Sequence, residues 1–289
     1  MGDNQEKAKK MLEEANKKLG PWVLGGLFTS SSKTEEGLSM LARAANLFKM
    51  AKSWTEAGNT FSKIGSHHAW RRNKHEAATS FVAAANCYRK NDATQAISSL
   101  QKAVDIYLDM GRFVVVAKTH QTIAEIYETQ SEIEKAMKHY ELAADFFKGE
   151  DSNSSAKKCM VKVAEFSAQS EKYETAIGIY EQVGYEALES PLLKYGAKDY
   201  LFRSSICHLA VDVINARNAV NKYIDHYPAF EETREAKLVL TLCRHTEQQD
   251  VDQFSKALSQ YQAVSSLDAW FLNILRKVME QIPDENDLR

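Results

Sequence analysis

The sequence predicts an all-α fold, an α-solenoid of helix pairs, and three observations carry that reading. The 289 residues contain only 4 Pro and 12 Gly, too few breakers for the turns an all-β chain needs about every 8–12 residues. Small and aromatic residues recur in columns a fixed step apart, and within each unit the columns have the i, i+4, i+7, i+11 spacing of one helical stripe. The chain is 44% apolar and 26% charged, so it can bury a sizeable core.

The first stripe recurs at a step of 40: Ala96, Ala136, Ala176 and Ala216; Leu100, Tyr140, Tyr180 and Val220; Ala103, Ala143, Val183 and Tyr223; Tyr107, Phe147, Ala187 and Tyr227. A second stripe lies between, at a step of 39: Ala78, Ala117 and Ala156; Ala85, Ala124 and Val163; Tyr88, Tyr127 and Phe166. Each unit therefore holds two helices, and alanine opposite a ring lets them approach closely. The pattern runs back to Ala57, Phe61 and Ile64, and forward to Ala257, Tyr261 and Val264. A step near 40 exceeds the 34 of a tetratricopeptide repeat, which calls for longer helices or turns. Turns are expected at Lys90-Asn91-Asp92, Asp109-Met110-Gly111 and Lys148-Gly149-Glu150-Asp151, with N-cap candidates at Ser152–Ser155. From about Asp268, the apolar Trp270, Phe271, Ile274, Leu275, Val278 and Ile282 form a terminal element that closes the stack.

Composition and motifs narrow the function. Lys+Arg is 37 against Asp+Glu 39, a net charge of −2, which argues against nucleic acid as a partner. Cys87, Cys159, Cys207 and Cys243 form no close pair, so each reads as a small buried hydrophobe. The polar start has no signal-peptide stretch, no apolar run approaches a membrane span, and a cytoplasmic protein is expected. No phosphate loop, nucleophile elbow or metal-ligand spacing is present, and His120 and His139 read as packing or surface residues. The expectation is a binding protein and not an enzyme, with no catalytic residues, no cofactor and no metal.

Three features lie outside the packing repeat. The first is the apolar segment Trp22-Val23-Leu24-Gly25-Gly26-Leu27-Phe28 and the serines after it, about residues 21–32. It folds onto the first helix pair, or dips into a membrane or partner, where each fully buried side chain is worth about 1.5–3 kcal/mol. The second is a run of basic residues on the first helices of successive units: Arg112, Lys118, Lys157, Lys158, Lys162, Lys194 and Lys198. They are ordinary solvated charges or, since first helices tend to line a solenoid's inner face, a track for an acidic partner. The track is imperfect, because Lys118 shares a column with Lys157 and not with Lys158. The third is the acidic tail after Pro283, with an apolar residue in the penultimate position.

Several long stretches carry a resemblance. They are Ala42-Arg-Ala-Ala-Asn-Leu-Phe-Lys-Met-Ala-Lys-Ser-Trp54, Asp109-Met-Gly-Arg-Phe113, Ile123-Ala-Glu-Ile-Tyr-Glu128, Lys148-Gly-Glu-Asp-Ser-Asn-Ser-Ser155, Ser190-Pro-Leu-Leu-Lys-Tyr195 with Ala197-Lys-Asp-Tyr200, and Asp287-Leu-Arg289. Along essentially its whole length the chain resembles the soluble NSF attachment proteins, and its Asp-Leu-Arg ending favours the alpha type over the gamma type.

The resemblance implies a right-handed, TPR-like twisted sheet of antiparallel helix pairs over residues 1–226, then a C-terminal helical bundle and acidic tail over 227–289. It implies an adaptor, peripheral on the cytosolic face of membranes. Such an adaptor coats the assembled four-helix bundle of syntaxin-type and partner SNAREs, and recruits and stimulates the hexameric NSF ATPase. The family's SNARE-facing positions fall on Lys52, Lys90, Arg112, Lys118, Lys158, Lys162 and Lys198. Its membrane-contacting loop falls on Trp22, Val23, Leu24, Leu27 and Phe28, where Val23-Leu24 stand in place of two adjacent Phe. Its ATPase-facing residues fall on Asp212, Glu247, Asp284, Glu285, Asp287 and Leu288; Glu247 alone remains of an acidic patch around Arg244–Gln248. The alternative is a generic helical-repeat scaffold for peptide partners. Charge polarity fits two partners: residues 227–289 hold 11 acidic and 7 basic side chains, whereas the rest of the chain has a small basic surplus.

Overall fold

The computed structural model describes residues 2–20 and 31–283, and every regular element among them is helical. In chain order these are α1 (Gly2–Leu19), α2 (Ser31–Met50), α3 (Trp54–Trp70), α4 (Lys74–Tyr88), α5 (Ala93–Asp109), α6 (Phe113–Thr129), α7 (Ile133–Gly149), α8 (Asn153–Gln169), α9 (Tyr173–Leu188), α10 (Ala197–Val211), α11 (Val213–His226), α12 (Arg234–Glu247), α13 (Val251–Gln262) and α14 (Ala269–Glu280). Short 3₁₀ turns precede α10 and α12, at Lys194–Gly196 and Pro228–Phe230. The chain forms two compact units, residues 1–153 and 154–289. The boundary expected near 226 falls inside the second unit, between α11 and the Pro228–Phe230 turn.

The period follows from one repeated turn. Helices α3, α5, α6, α7 and α8 each have 17 residues, and the connections add three. In seven turns an amide reaches back five residues to a carbonyl, as in Ser53 to Phe48 (2.9 Å), Arg112 to Tyr107 (2.9 Å) and Lys172 to Ser167 (2.8 Å). These are Schellman motifs, which need a left-handed residue just past the helix. Gly111 fills that position once; Lys52, Arg72, Ser131, Asp151, Glu171 and Gln249 fill it elsewhere at φ 54–61°. From Lys52 to Glu171 the left-handed residues recur 20 positions apart, except that Arg72 and Gly111 are 39 apart. The intervening turn at Arg89–Asp92 has no left-handed residue, and Asp92 caps α5 through its side chain instead.

The column residues are the core. Ala96, Ala136, Ala176, Ala216, Ala78 and Ala117 are completely buried, and Leu100, Tyr140, Tyr180 and Val220 nearly so. The forward extension departs from the pattern: α13 ends at Gln262, Val264 lies beyond it and is exposed, and the residue α13 buries is Phe254. All four cysteines are buried and unbridged. Burial pushes the Cys207 thiol up to about 12 and Cys243 to about 11, so neither is a ready thiolate.

Close approach in the first unit depends on Gly58. A Cβ there would lie 2.6 Å from the Tyr88 ring. The ring cannot easily move, because its hydroxyl donates to Asn59 Oδ1 at 2.6 Å. Gly58→Ala is expected to cost about 1–3 kcal/mol through overpacking, read as a lower urea midpoint; an unchanged midpoint contradicts this packing.

His120 and His139 are packing residues. Their Nδ1 atoms lie 3.0 Å apart between α6 and α7, and the His120 ring stacks on Phe146. Burial first, and His139 second, hold His120 down at about 4. The folded form thus binds fewer protons than the unfolded chain between about pH 6.5 and pH 4. Stability is full above pH 6.5 and is lost as pH falls toward 4, by on the order of 3 kcal/mol. Replacing both with Leu should flatten the pH dependence of first-unit unfolding over that range; an unaltered slope counts against the pair as its source.

Candidate functional site

The candidate interface is electrostatic, so the first question is which cations already have partners. Among the described residues, Lys52, Lys90, Arg112, Lys118 and Lys158 are exposed and form no ion pair. Lys162 sits 3.4 Å from Glu165 and 5.5 Å over the Phe166 ring. Lys198 donates to Glu235 on α12 at 2.8 Å, a bond that raises its pKa. The imperfect column is resolved by pairing: Lys157 reaches Glu186 on α9 at 2.8 Å, whereas its neighbour Lys158 keeps its charge for solvent.

Within the first unit the four cations do not share one end of the helices. Three-residue turns make successive helices antiparallel. Contacts agree: Lys74 at the start of α4 meets Asp109 at the end of α5 (2.6 Å), and Asn91 meets Thr55 at the opposite end (2.9 Å). Lys52 and Lys90 therefore sit at one end, and Arg112, the N-cap of α6, at the other. A 17-residue helix is about 25 Å long, so a ligand touching all of them must cross the helices obliquely. Lys118 lies one and a half turns into α6, between the two ends. In the second unit Lys158 and Lys162 occupy successive turns of α8, and Lys198 opens α10.

Of the acidic positions, Asp212 is the N-cap of α11 and accepts from the Asn215 amide at 2.9 Å. Glu247 is bound to Arg217. Trp22, Val23, Leu24, Leu27 and Phe28, and Asp284, Glu285, Asp287 and Leu288, lie outside the described residues. No trio of His, Cys, Asp or Glu among the described residues is placed to hold a metal. No described helix is long and apolar enough to cross a membrane.

Sequence reasoning missed apolar side chains beside the cations. Leu192 is 86% exposed and Tyr195 71%, with Leu193 also out, in the connection that leads to Lys198. Lys194 Nζ sits 5.2 Å over the Tyr195 ring. In the first unit Phe113 and Val115 are exposed beside Arg112. The available signal was the Pro191-Leu-Leu-Lys-Tyr195 run, which belongs to neither helical stripe.

Comparison with known proteins follows the same outline. The chain matches the family described as "Soluble NSF attachment protein, SNAP" over residues 6–283. It is 49% identical to the mouse alpha-soluble NSF attachment protein over 99% of this chain and 98% of that one. It is 31% identical to the vesicular-fusion protein SEC17 of Komagataella phaffii, over 97% of each. Among solved structures, a Pyrococcus horikoshii signal-transduction ATPase with a tetratricopeptide repeat sensor aligns at TM-score 0.51 and 14% identity, covering 96% of this chain and 42% of that one. That likeness speaks for the helical-repeat fold alone. With a match along nearly its whole length and relatives at up to 49% identity, this chain belongs to the soluble NSF attachment protein family.

Proposed function

We propose that this protein is a vesicle-fusion adaptor that binds assembled SNARE bundles and brings the NSF ATPase to them. The observation that carries the reading is the near end-to-end likeness to chains named for NSF attachment and vesicular fusion, joined to exposed cations, Lys118 and Lys158 foremost, that have no carboxylate partner among the described residues. Uncommitted charge suits an acidic rod, which needs complementarity along its length more than side-chain readout. Exposed ion pairs contribute only about 0–1 kcal/mol each, so one copy binds modestly. The apolar Leu192, Leu193 and Tyr195, and Phe113 with Val115, add non-ionic contact beside the cations. Several copies on one bundle, each also touching the membrane through Trp22, Val23, Leu24, Leu27 and Phe28, multiply affinity through effective concentration.

The ATPase end is assigned to Asp212, Glu247, Asp284, Glu285, Asp287 and Leu288. Asp212 and Glu247 already serve α11 and Arg217, so the tail carries most of that contact. Hydrolysis belongs to the partner, and stacked helices held by buried columns are stiff enough to pass on load.

The test is a pull-down of NSF on immobilised SNARE complex, with this protein present or absent. Retention of NSF under non-hydrolysing conditions only when the protein is present, and release on ATP turnover, is the expected result. Leu288→Ala should keep SNARE binding and lower stimulated hydrolysis several-fold. NSF captured equally well without the protein would refute the adaptor reading. Binding to isolated SNARE peptides as tight as to the assembled bundle would favour a generic peptide scaffold.

A further inference from the structure

The turn between α3 and α4 holds a surface that the adaptor reading leaves unused. Trp70, the last residue of α3, is 58% exposed. Arg71, Arg72 and Lys74 follow it directly, and Arg72 is exposed with no carboxylate partner among the described residues. Beside them is a surface recess of about 340 Å³ lined by Ala69, Arg72, Lys74, Ala77, Ile106 and Asp109. Two carboxylates oppose the basic charge. Asp109 neutralises Lys74 at 2.6 Å, and exposed Glu76 lies one helical turn away. Arg72 is the cation of this turn that keeps its charge without a carboxylate partner among the described residues, and Arg71 stands beside it.

We infer that the Trp70–Lys74 turn is a second membrane contact, one that takes the anionic headgroups and interfacial layer of a phospholipid surface. Tryptophan has an apolar ring with one polar N–H and partitions to the headgroup level. Arginine is weakly hydrated and grips phosphate through a planar fork. An anionic leaflet rewards each basic residue held against it. A lone Trp on a protruding turn fits that layer better than it fits a protein groove, since protein hot spots sit in desolvated pockets.

Position adds to this. Antiparallel packing puts the end of α1 and the start of α2, joined by the Lys18–Glu36 ion pair, at the same end of the helices as the α3–α4 turn. Two turns further along that end, between α7 and α8, stand Glu150 and Asp151. Basic and aromatic character at that end thus runs from the α3–α4 turn to Arg112 and exposed Phe113 at the α5–α6 turn and stops before the α7–α8 turn, which limits contact to the N-terminal part of the first unit. The inference rests on the reading that this protein works at a membrane surface.

Vesicle flotation with the full chain tests it. Mixed phosphatidylcholine–phosphatidylserine vesicles are compared with phosphatidylcholine alone. Arg71→Gln with Arg72→Gln should weaken binding to the anionic vesicles about 10- to 30-fold and leave binding to the neutral ones unchanged. Brominated lipid should quench wild-type tryptophan fluorescence more than that of Trp70→Phe. Leu24→Ser with Leu27→Ser and Phe28→Ser separates the two contacts. If that triple variant loses binding while the arginine and Trp70 variants match wild type, the turn is not a contact and the membrane reading stands. If wild type ignores anionic vesicles, both fall. If binding survives but Trp70→Phe quenches as wild type does, the headgroup contact excludes Trp70 and the inference as stated is overturned.

Discussion

Lys118→Glu combined with Lys158→Glu is expected to abolish capture of assembled SNARE complex, even at low salt. Each substitution removes an attraction and installs a repulsion, and neither is buffered, because neither lysine has a carboxylate partner among the described residues. An exposed pair is worth about 0–1 kcal/mol, so reversal at two sites moves one copy by about 2–3 kcal/mol. Copies bound to one bundle multiply that loss. The informative control is one residue away. Lys157 is held by Glu186 at 2.8 Å, so Lys157→Ala should leave capture within about twofold while Lys158→Ala weakens it several-fold. Lys198→Ala should likewise do less than its position in the sequence suggests, since its ammonium is bound to Glu235. Raising salt should weaken the wild type toward the double variant, because exposed charges are screened beyond about 10 Å at 0.1 M. Full capture by the double variant would remove the basic face from the proposed mechanism.

That contrast marks where the sequence is legible. The i, i+4, i+7 columns identified which alanines and rings are buried, because burial depends on periodicity and periodicity is written along the chain. The turns were harder. Lys90–Asp92 and Asp109–Gly111 announced themselves by composition. The left-handed positions at Lys52, Arg72, Ser131 and Gln249 did not, since residues that rarely adopt that conformation are held there by the helices on either side. Val264 followed the column arithmetic but lies past the end of α13. At the candidate site, basic residue types could be read but their availability could not. Whether Lys157 or Lys158 is paired depends on Glu186, a helix away, and whether Lys198 is available depends on Glu235, 37 residues on. Exposed Leu192 and Trp70 had no periodic signal, because exposure at a turn is set by how the flanking helices pack.

The second large effect concerns the end of the molecule assigned to the ATPase. Arg203 on α10 ties α14 to the second unit. Its guanidinium lies 4.7 Å from the ring centres of both Trp270 and Phe271, 2.9 Å from Asp268, and 3.8 Å from Glu165 on α8. Trp270 in turn donates its indole N–H to the Glu165 carbonyl at 3.1 Å and meets Tyr180 edge-on. Arg203→Ala would leave the partly buried Glu165 carboxylate facing the cavity and strip two rings of their cation, a loss of about 1–3 kcal/mol because the nearer carboxylate, Asp268, stays half exposed to solvent. Arg203→Lys should rescue little, since a point charge cannot both stack on two rings and reach two carboxylates. The loss should appear as an earlier unfolding step of the second unit, with first-unit unfolding unmoved. Because α14 leads directly into the acidic tail, stimulation of ATP hydrolysis should fail at temperatures where SNARE capture persists. Should Arg203→Ala unfold like the wild type, α14 is held by apolar burial alone, and the separation between capture and stimulation would have to come from the tail itself.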